Sequence, residues 1–66
     1  MSYNIGDIVH IEAVWIPEDV RKIQCRITNL STVGGETLAT VDWLSSSSGT
    51  LSAKYGTRFR AGDLGR

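Results

Sequence analysis

The side chains that could do chemistry lie in three short stretches of this chain. His10 and Glu12 are two residues apart, so on a strand both project from one face, where an imidazole base and an orienting carboxylate could work together. Cys25 is the sole cysteine, and Ser45–Ser48 is a run of hydroxyls. No Gly-x-Ser-x-Gly turn accompanies the serines, and nothing else completes a site around His10. We therefore expect no catalytic residues and a protein that is not an enzyme.

The sequence also contains few residues that could bind a metal or a cofactor. Cys25 lies between Ile23 and Ile27 in an apolar pattern, where burial would disfavour the thiolate that a nucleophile needs. One cysteine and one histidine are too few for a structural zinc site, and one cysteine cannot form an internal disulfide. The glycines lack the Lys-Ser/Thr pair of a phosphate-binding loop. The sequence predicts no metal and no cofactor.

Aromatic rings are better candidates for a binding surface. Rings at the ends of strands can form a stacking platform for a partner, or they can simply fill the core. We expect Trp15 to be the more exposed ring, because Pro17 and an acidic loop adjoin it. The predicted partner-binding residues are Trp15, Glu18, Asp19, Trp43 and Tyr55.

Charge is balanced overall but not along the chain. Seven Lys and Arg residues match seven Asp and Glu residues, which argues against bulk nucleic acid as a partner. The first 20 residues nevertheless hold only acids, and the basic residues come later. Solvated surface charge with pairing between strands explains this distribution, and a basic strip that contacts nucleic-acid phosphates is the alternative. The strip would comprise Arg21, Lys22, Arg26, Lys54, Arg58 and Arg60.

The element that must position these residues is a long hairpin from Val20 to Trp43. Apolar and polar side chains alternate along both arms, with the period of two that is typical of a half-buried strand. Gly34-Gly35 lies between the arms and can take positive φ, as a hairpin connection requires. The predicted core face holds Ile23, Cys25, Ile27, Ala39, Val41 and Trp43.

Three further strands are predicted around the hairpin. The first runs from Ile8 to Trp15 and ends before Pro17, which has no N–H to donate. The fourth strand of the fold is predicted over Thr50–Tyr55, and a last short strand over Thr57–Arg60. The residues predicted on the core side are Val9, Ile11, Ala13, Trp15, Leu51, Ala53, Tyr55, Phe59 and Leu64.

Apolar residues also occur on the faces opposite the predicted core. They suggest partial cover of a closed barrel or a contact between subunits. A domain of this size buries only about 60% of its unfolded surface, so oligomerisation is one route to sufficient stability. We therefore expect a protein partner or self-association. The residues concerned are Ile8, Val14, Leu30, Leu38 and Leu44.

The spacing of the strands predicts an all-β fold, a small barrel or sandwich of four or five strands that forms one domain over residues 1–66. Three segments, Gly6-Asp7-x-Val9, Val41-Asp42-Trp43 and Phe59-Arg60-Ala61-Gly62-Asp63-Leu64, resemble parts of small SH3-like barrels of the KOW and Tudor-like kind. The full glycine-containing KOW repeat and a matching aromatic cage are missing. The resemblance implies a five-stranded, partly open SH3-like barrel whose loops and one sheet face bind nucleic acid, peptides or other subunits.

Three functions remain open on the sequence. The first is a non-enzymatic binding or adaptor module that engages a macromolecular partner, with protein favoured, through the Trp15–Asp19 loop and the adjacent sheet face. The second is a nucleic-acid-binding barrel that uses the basic strip. The third is an oligomeric small enzyme, because the chain is similar in size and barrel type to plasmid-encoded dihydrofolate reductases, although their active-site motif is absent.

The sequence also predicts where the protein works. No apolar run approaches the length of a membrane span, and the N-terminus lacks the basic start and apolar centre of a signal peptide. We expect a cytoplasmic protein with no membrane partner.

Overall fold

The computed structural model describes residues 3–66, so Met1 and Ser2 of the predicted domain lie outside it. The described chain is mostly β, with five antiparallel strands in one sheet of order β4-β3-β2-β1-β5. The edge strands β4 and β5 are not paired with each other in the described chain, so the sheet is not closed into a barrel. The elements are β1 (Ile8–Ile11), α1 (Glu18–Arg21), β2 (Gln24–Val33), β3 (Glu36–Trp43), α2 (Ser48–Tyr55), β4 (Arg58–Arg60), a 3-10 turn (Ala61–Asp63) and β5 (Leu64–Gly65).

The predicted hairpin is confirmed as β2 and β3, the centre of the sheet. The strands pair from Cys25 and Trp43 at one end to Val33 and Glu36 at the tip. The connecting Gly34-Gly35 has φ values of 59° and 84°, which glycine adopts without steric cost. The hairpin begins at Gln24 rather than at Val20, because Val20 lies in α1.

A β-bulge at Thr28 interrupts the alternation of β2. The pairing with β3 shifts between Ile27 and Asn29, so Thr28 has no partner of its own. The Thr28 hydroxyl instead donates to the carbonyl oxygen of Thr40, 3.2 Å away. One extra residue moves every later side chain to the other face of the sheet. Leu30 therefore packs against the core, and the prediction that it lies on the opposite face is wrong.

The first strand is shorter than predicted. It ends at Ile11 rather than at Trp15, because the chain leaves the sheet in a turn in which Ile16 N donates to the Ala13 carbonyl oxygen at 3.1 Å. Pro17 then precedes α1, so Glu18 and Asp19 are helical and the prediction that they belong to a loop is wrong. Ala13 and Ile16 are both buried, so this loop is attached to the core even though it is not part of the sheet.

The segment predicted as a fourth strand over Thr50–Tyr55 is the helix α2, and that prediction is wrong. Leu51 and Tyr55 are four residues apart and share a helix face as readily as a strand face, so the spacing did not discriminate. Leu51 is buried, but Ala53 is exposed, as expected on a helix. Gly56 ends α2 with φ 86°. No helix of the described residues is long and apolar enough to cross a membrane.

One hydrophobic core lies on the inner face of the sheet. It draws residues from all five strands, from α2 and from the loop after β1, and among residues 3–66 no polar or charged residue is buried. Of the residues predicted on the core face of the hairpin, only Ile23 is partly rather than fully buried. The buried residues are Val9, Ile11, Ala13, Ile16, Cys25, Ile27, Ala39, Val41, Trp43, Leu51, Phe59 and Leu64.

Candidate partner-binding surface

Trp15 is an exposed ring fixed to the core. Its indole stacks on the ring of Phe59, with centroids 6.2 Å apart and planes 18° apart. Trp15 is 59% exposed, so the prediction that it lies on the core side of the first strand is wrong, whereas Phe59 is 4% exposed. The buried neighbours Ala13 and Ile16 hold the backbone on both sides. The loop therefore presents one face of the indole to solvent while the core supports the other.

The stacking continues inward as a row of four rings, which we call the aromatic row: Trp15, Phe59, Trp43 and Tyr55. Phe59 meets Trp43 edge to face at 6.1 Å, and Trp43 lies 6.3 Å from Tyr55. The indole N–H of Trp43 donates to the carbonyl oxygen of Gly56 at 3.0 Å. Trp43 is buried and Tyr55 is half-buried, so Trp43 supports the row from inside, and Trp15 and Tyr55 carry its exposed ends.

Glu18 and Asp19 add negative charge beside this surface. They form the first turn of α1, three and four residues after Trp15, and both are exposed. Neither carboxylate makes a hydrogen bond or an ion pair with another described residue. Val14, next to Trp15, is 92% exposed. The loop and the first turn of α1 thus combine apolar side chains with two carboxylates that are available to a partner.

The predicted basic residues are distributed over several places, and two of them face acids. Arg26 lies opposite Asp42 in the pairing of β2 with β3. Arg60 Nε lies 3.5 Å from Glu36 Oε2. Such exposed pairs add little stability, but the acids reduce the positive potential that phosphates would meet.

The remaining four basic residues lie on three different elements. Arg58 is exposed on the edge strand β4. Lys54 is on α2, where its ammonium lies 5.6 Å from the centroid of the Tyr55 ring. Arg21 ends α1, and Lys22 follows it, and both line a depression on the surface. Nucleic-acid binding by these residues stays a prediction.

His10 and Glu12 form a pair at the β1 edge of that depression. His10 Nε2 lies 2.9 Å from Glu12 Oε1, and both side chains lie over Gly65 of β5. A Cβ at Gly65 would collide with Glu12 Oε1 and lie 2.7 Å from His10 Nε2. Within residues 3–66 no group of three or more His, Cys, Asp or Glu residues could hold a metal ion.

Cys25 is fully buried. Burial raises the pKa of its thiol from 9.0 to about 11, and the negative charge of Asp42 adds to the shift. The thiol is protonated at neutral pH, which makes Cys25 a poor nucleophile.

The roles of two residues at these surfaces, Phe59 and Gly65, could not be predicted from the sequence. Phe59 is predicted as a core anchor, but its role as the base on which Trp15 stacks depends on a contact between residues distant in the chain. The need for glycine at position 65 depends on the pairing of β1 with β5. Neither role leaves a local pattern, whereas Pro17 beside Trp15 is the local signal that indicates its exposure.

Comparison with protein-family models, curated proteins and solved structures finds no match to this chain. Its own geometry therefore gives its class: a small, mostly β protein with one five-stranded antiparallel sheet and an exposed tryptophan supported by the core.

Proposed function

We propose that this protein is a non-enzymatic binding module that engages a protein partner through Trp15–Asp19, which comprises the end of the loop after β1 and the first turn of α1. The observation that carries the proposal is the stacking of the exposed Trp15 on the buried Phe59. A ring that is already ordered in the free protein loses little conformational entropy when a partner covers it. Tryptophan is also enriched among the residues that dominate binding energy at protein interfaces.

The surroundings of Trp15 indicate the chemistry of the partner. Val14 and Trp15 offer apolar surface, and Glu18 and Asp19 offer negative charge without partners of their own. An apolar side chain flanked by Lys or Arg complements such a surface, because it covers the indole while its charge meets the carboxylates. We therefore propose a peptide segment of that composition as the bound element.

The architecture that we propose for this module is a partly open SH3-like barrel. Its support is the five-stranded antiparallel sheet, together with the three sequence segments that resemble such barrels. Phe59 of the edge strand β4 and Leu64 of the edge strand β5 belong to the same core, as expected of a sheet that curls around its core. The resemblance agrees with a binding role, although a fold alone does not define a function.

The test is to select peptides from a random display library on the immobilised protein and then to measure the affinity of a selected synthetic peptide. Trp15→Ala should weaken binding about tenfold or more, since loss of a central tryptophan typically costs over 1 kcal/mol. Val33→Ala is the matched control, because Val33 is an exposed apolar residue at the hairpin tip and should leave the affinity unchanged.

Two outcomes would contradict the proposal. Selected peptides that bind Trp15→Ala and the unaltered protein equally would place the interface elsewhere. A Trp15→Ala protein that does not fold would make Trp15 a structural residue and remove the argument for a binding role.

A further inference from the structure

The half of β2 that lies nearest the hairpin tip has a strand on one side only. β1 pairs with β2 over Gln24–Arg26. The last bonds on that side join Ile27 to Asp7 and Gly6, at 2.9 and 2.7 Å. Gly6, with φ 96°, lies in a turn that ends this pairing. Among the described residues, residues 29–33 of β2 therefore pair with β3 alone, and we call this segment the tip edge.

The pairing of β2 with β3 shows which backbone groups of the tip edge point outward. Val41 of β3 donates its N–H to a carbonyl oxygen on the β4 side, 2.8 Å away, so it points away from β2. Outward-pointing residues alternate along an antiparallel strand with residues that bond across the pair. Ala39 and Thr37, two and four residues before Val41, therefore point the same way. Their β2 partners, Leu30 and Thr32, direct their N–H and C=O groups to the opposite side, away from β3.

The tip edge lacks the features that protect the edges of most sheets. Soluble proteins protect their edge strands by short length, by charged side chains or by proline. The outermost strands of this sheet are protected in that way, because β5 has two residues and β4 has three, of which two are arginines. The tip edge has neither charge nor proline, and its Thr32 and Val33 are β-branched and exposed. It is therefore the part of the described sheet best suited to pair with another strand.

A second copy of the same chain fits the tip edge. When two tip edges run antiparallel about a two-fold axis at Ser31, Leu30 of each copy lies opposite Thr32 of the other. Each such pair can exchange both of its hydrogen bonds, so every outward N–H and C=O of these two residues gains a partner. An axis at Leu30 would place Thr32 opposite the bulge, and an axis at Thr32 would place Leu30 opposite the turn. The axis at Ser31 thus satisfies the most groups.

Three properties of the tip edge favour a second copy over an unrelated strand. The segment is uncharged, so two identical edges meet without repulsion. It is already ordered by its pairing with β3, so neither partner loses the entropy of a disordered segment when the edges meet. Antiparallel pairing also brings Val33 of one copy, which is 61% exposed, towards the turn of the other copy that carries Ile5, which is 64% exposed. Both ends of the contact therefore cover apolar surface.

We propose that two copies of this protein associate through their tip edges and form one continuous antiparallel sheet across a two-fold axis at Ser31. The contact is small, because residues 29–33 of each copy supply the pairing, so the dimer forms reversibly and depends on protein concentration. Trp15 is not part of the tip edge. This proposal and the peptide-binding surface at Trp15 can therefore fail independently.

The first test is sedimentation of the unaltered protein from micromolar to millimolar concentration, with hydrogen exchange of the backbone amides measured by NMR at both ends of that range. The fraction of dimer should rise with concentration. Exchange at the Leu30 and Thr32 amides should slow as the dimer forms, whereas the Ser31 amide, which points to β3, should be protected at both concentrations. A monomer at millimolar concentration, or a dimer without slower exchange at Leu30 and Thr32, would overturn the proposal.

Thr32→Pro and Thr37→Pro are matched variants, because the two threonines lie opposite each other in the hairpin. Each substitution removes an N–H that points out of the hairpin, on the tip edge for Thr32 and on the β4 side for Thr37, and proline is tolerated at such positions. Thr32→Pro should weaken self-association about tenfold or more, since each copy loses a donor. Thr37→Pro should leave it unchanged, and equal effects would assign the contact to another surface. The sedimentation of the unaltered protein decides the question even if Thr32→Pro does not fold.

Charge exchange at Ser31 tests the position of the two-fold axis without a proline in the sheet. Ser31→Lys and Ser31→Glu each place two like charges opposite each other at the axis, so each variant alone should self-associate less than the unaltered protein. An equimolar mixture places a lysine opposite a glutamate and should associate at least about threefold more strongly than either variant alone. A mixture that associates no more strongly than the separate variants would overturn the pairing of the two tip edges about Ser31.

Discussion

Trp15 lies flat on Phe59, with ring centroids 6.2 Å apart, although the first ring is mostly exposed and the second is almost fully buried. The contact joins the loop after β1 to the edge strand β4, at the opposite side of the sheet order. The two rings are in contact but differ in burial. Substituting each ring in turn therefore measures separately how much the buried ring and the exposed ring contribute to stability.

Phe59→Ala and Trp15→Ala should differ strongly in stability. Phe59→Ala removes a buried ring and should lower the free energy of unfolding by about 3–5 kcal/mol. This loss is a large part of the total stability of a domain of this size, so most molecules should be unfolded. Trp15→Ala loses the stacking contact and part of its buried area, and should cost about 1 kcal/mol. Urea denaturation monitored by circular dichroism measures both. A loss with Trp15→Ala as large as that with Phe59→Ala would show that Trp15 is a core residue.

The bulge at Thr28 predicts a contrast between two leucines of the hairpin. Leu30 packs against the core after the bulge, whereas Leu38 is partly buried and is not among the residues packed on the core. Leu30→Ala should therefore destabilise the protein by about 1–2 kcal/mol, and Leu38→Ala by roughly half of that or less. The comparison uses the same chemical change on adjacent strands, and the unfolding midpoint in urea is the measurement. Equal losses, or a larger loss at Leu38, would contradict the assigned bulge.

The bulge also shows what the sequence could and could not predict. The hairpin was predictable, because the alternation of apolar residues and the Gly34-Gly35 turn are local properties of the chain. The bulge was not predictable, because Thr28 and Asn29 are both polar. The alternation of apolar and polar residues therefore looks the same whether or not β2 contains one extra residue at this point. The consequence appears only at Leu30, whose side chain changes face.

The helix α2 was missed for a related reason. Three apolar residues at a spacing of two, from Leu51 to Tyr55, are too short a pattern to establish a period. At the candidate site, the exposure of Trp15 was predictable from the adjacent proline. The stacking of Trp15 on Phe59 was not predictable, and neither was the depression that Arg21 and His10 both line. Each depends on how segments distant in the chain pack together.

Substitutions of two glycines, Gly49 and Gly56, test the assignment of α2 as a helix. Gly49 lies within the helix with open space around a Cβ, so Gly49→Ala should stabilise the protein by about 0.5 kcal/mol. Gly56 ends the helix with φ 86° and ψ −178°, a conformation that is essentially restricted to glycine, and Gly56→Ala should cost about 1–3 kcal/mol. Thermal unfolding of both variants provides the comparison. A loss of stability with Gly49→Ala would contradict the helical conformation at this position.

Gly65 and Gly62 form a second matched pair, near the end of the chain. Gly65→Ala would place a methyl group against the ends of the Glu12 and His10 side chains, so these two flexible ends must move away from β5 and their contact with each other is disturbed. We expect a loss of about 1 kcal/mol. Gly62→Ala meets nothing within 4 Å and should be close to neutral. The free energy of unfolding from urea titrations checks both, and a neutral Gly65→Ala would show that displacing the two side-chain ends from β5 costs no stability.

Cys25 should make stability depend on alkaline pH. Its pKa is about 11 in the folded protein, raised by burial and by Asp42, against 9.0 when the side chain is exposed. Below pH 9 the thiol is protonated in both states, so its contribution is fully present. Between pH 9 and 11 only the unfolded chain loses the proton, so the free energy of unfolding should fall by roughly 2–3 kcal/mol.

The matched variant for this effect is Cys25→Ala. It loses some packing at every pH but has no thiol to ionise, and lysines and tyrosines titrate in both proteins. The difference in free energy of unfolding between the unaltered protein and Cys25→Ala should therefore shrink as the pH rises from 9 to 11. A difference that stays constant over this range would show that the Cys25 thiol ionises as readily in the folded protein as in the unfolded chain, which is incompatible with its position between β1 and β3 in the core.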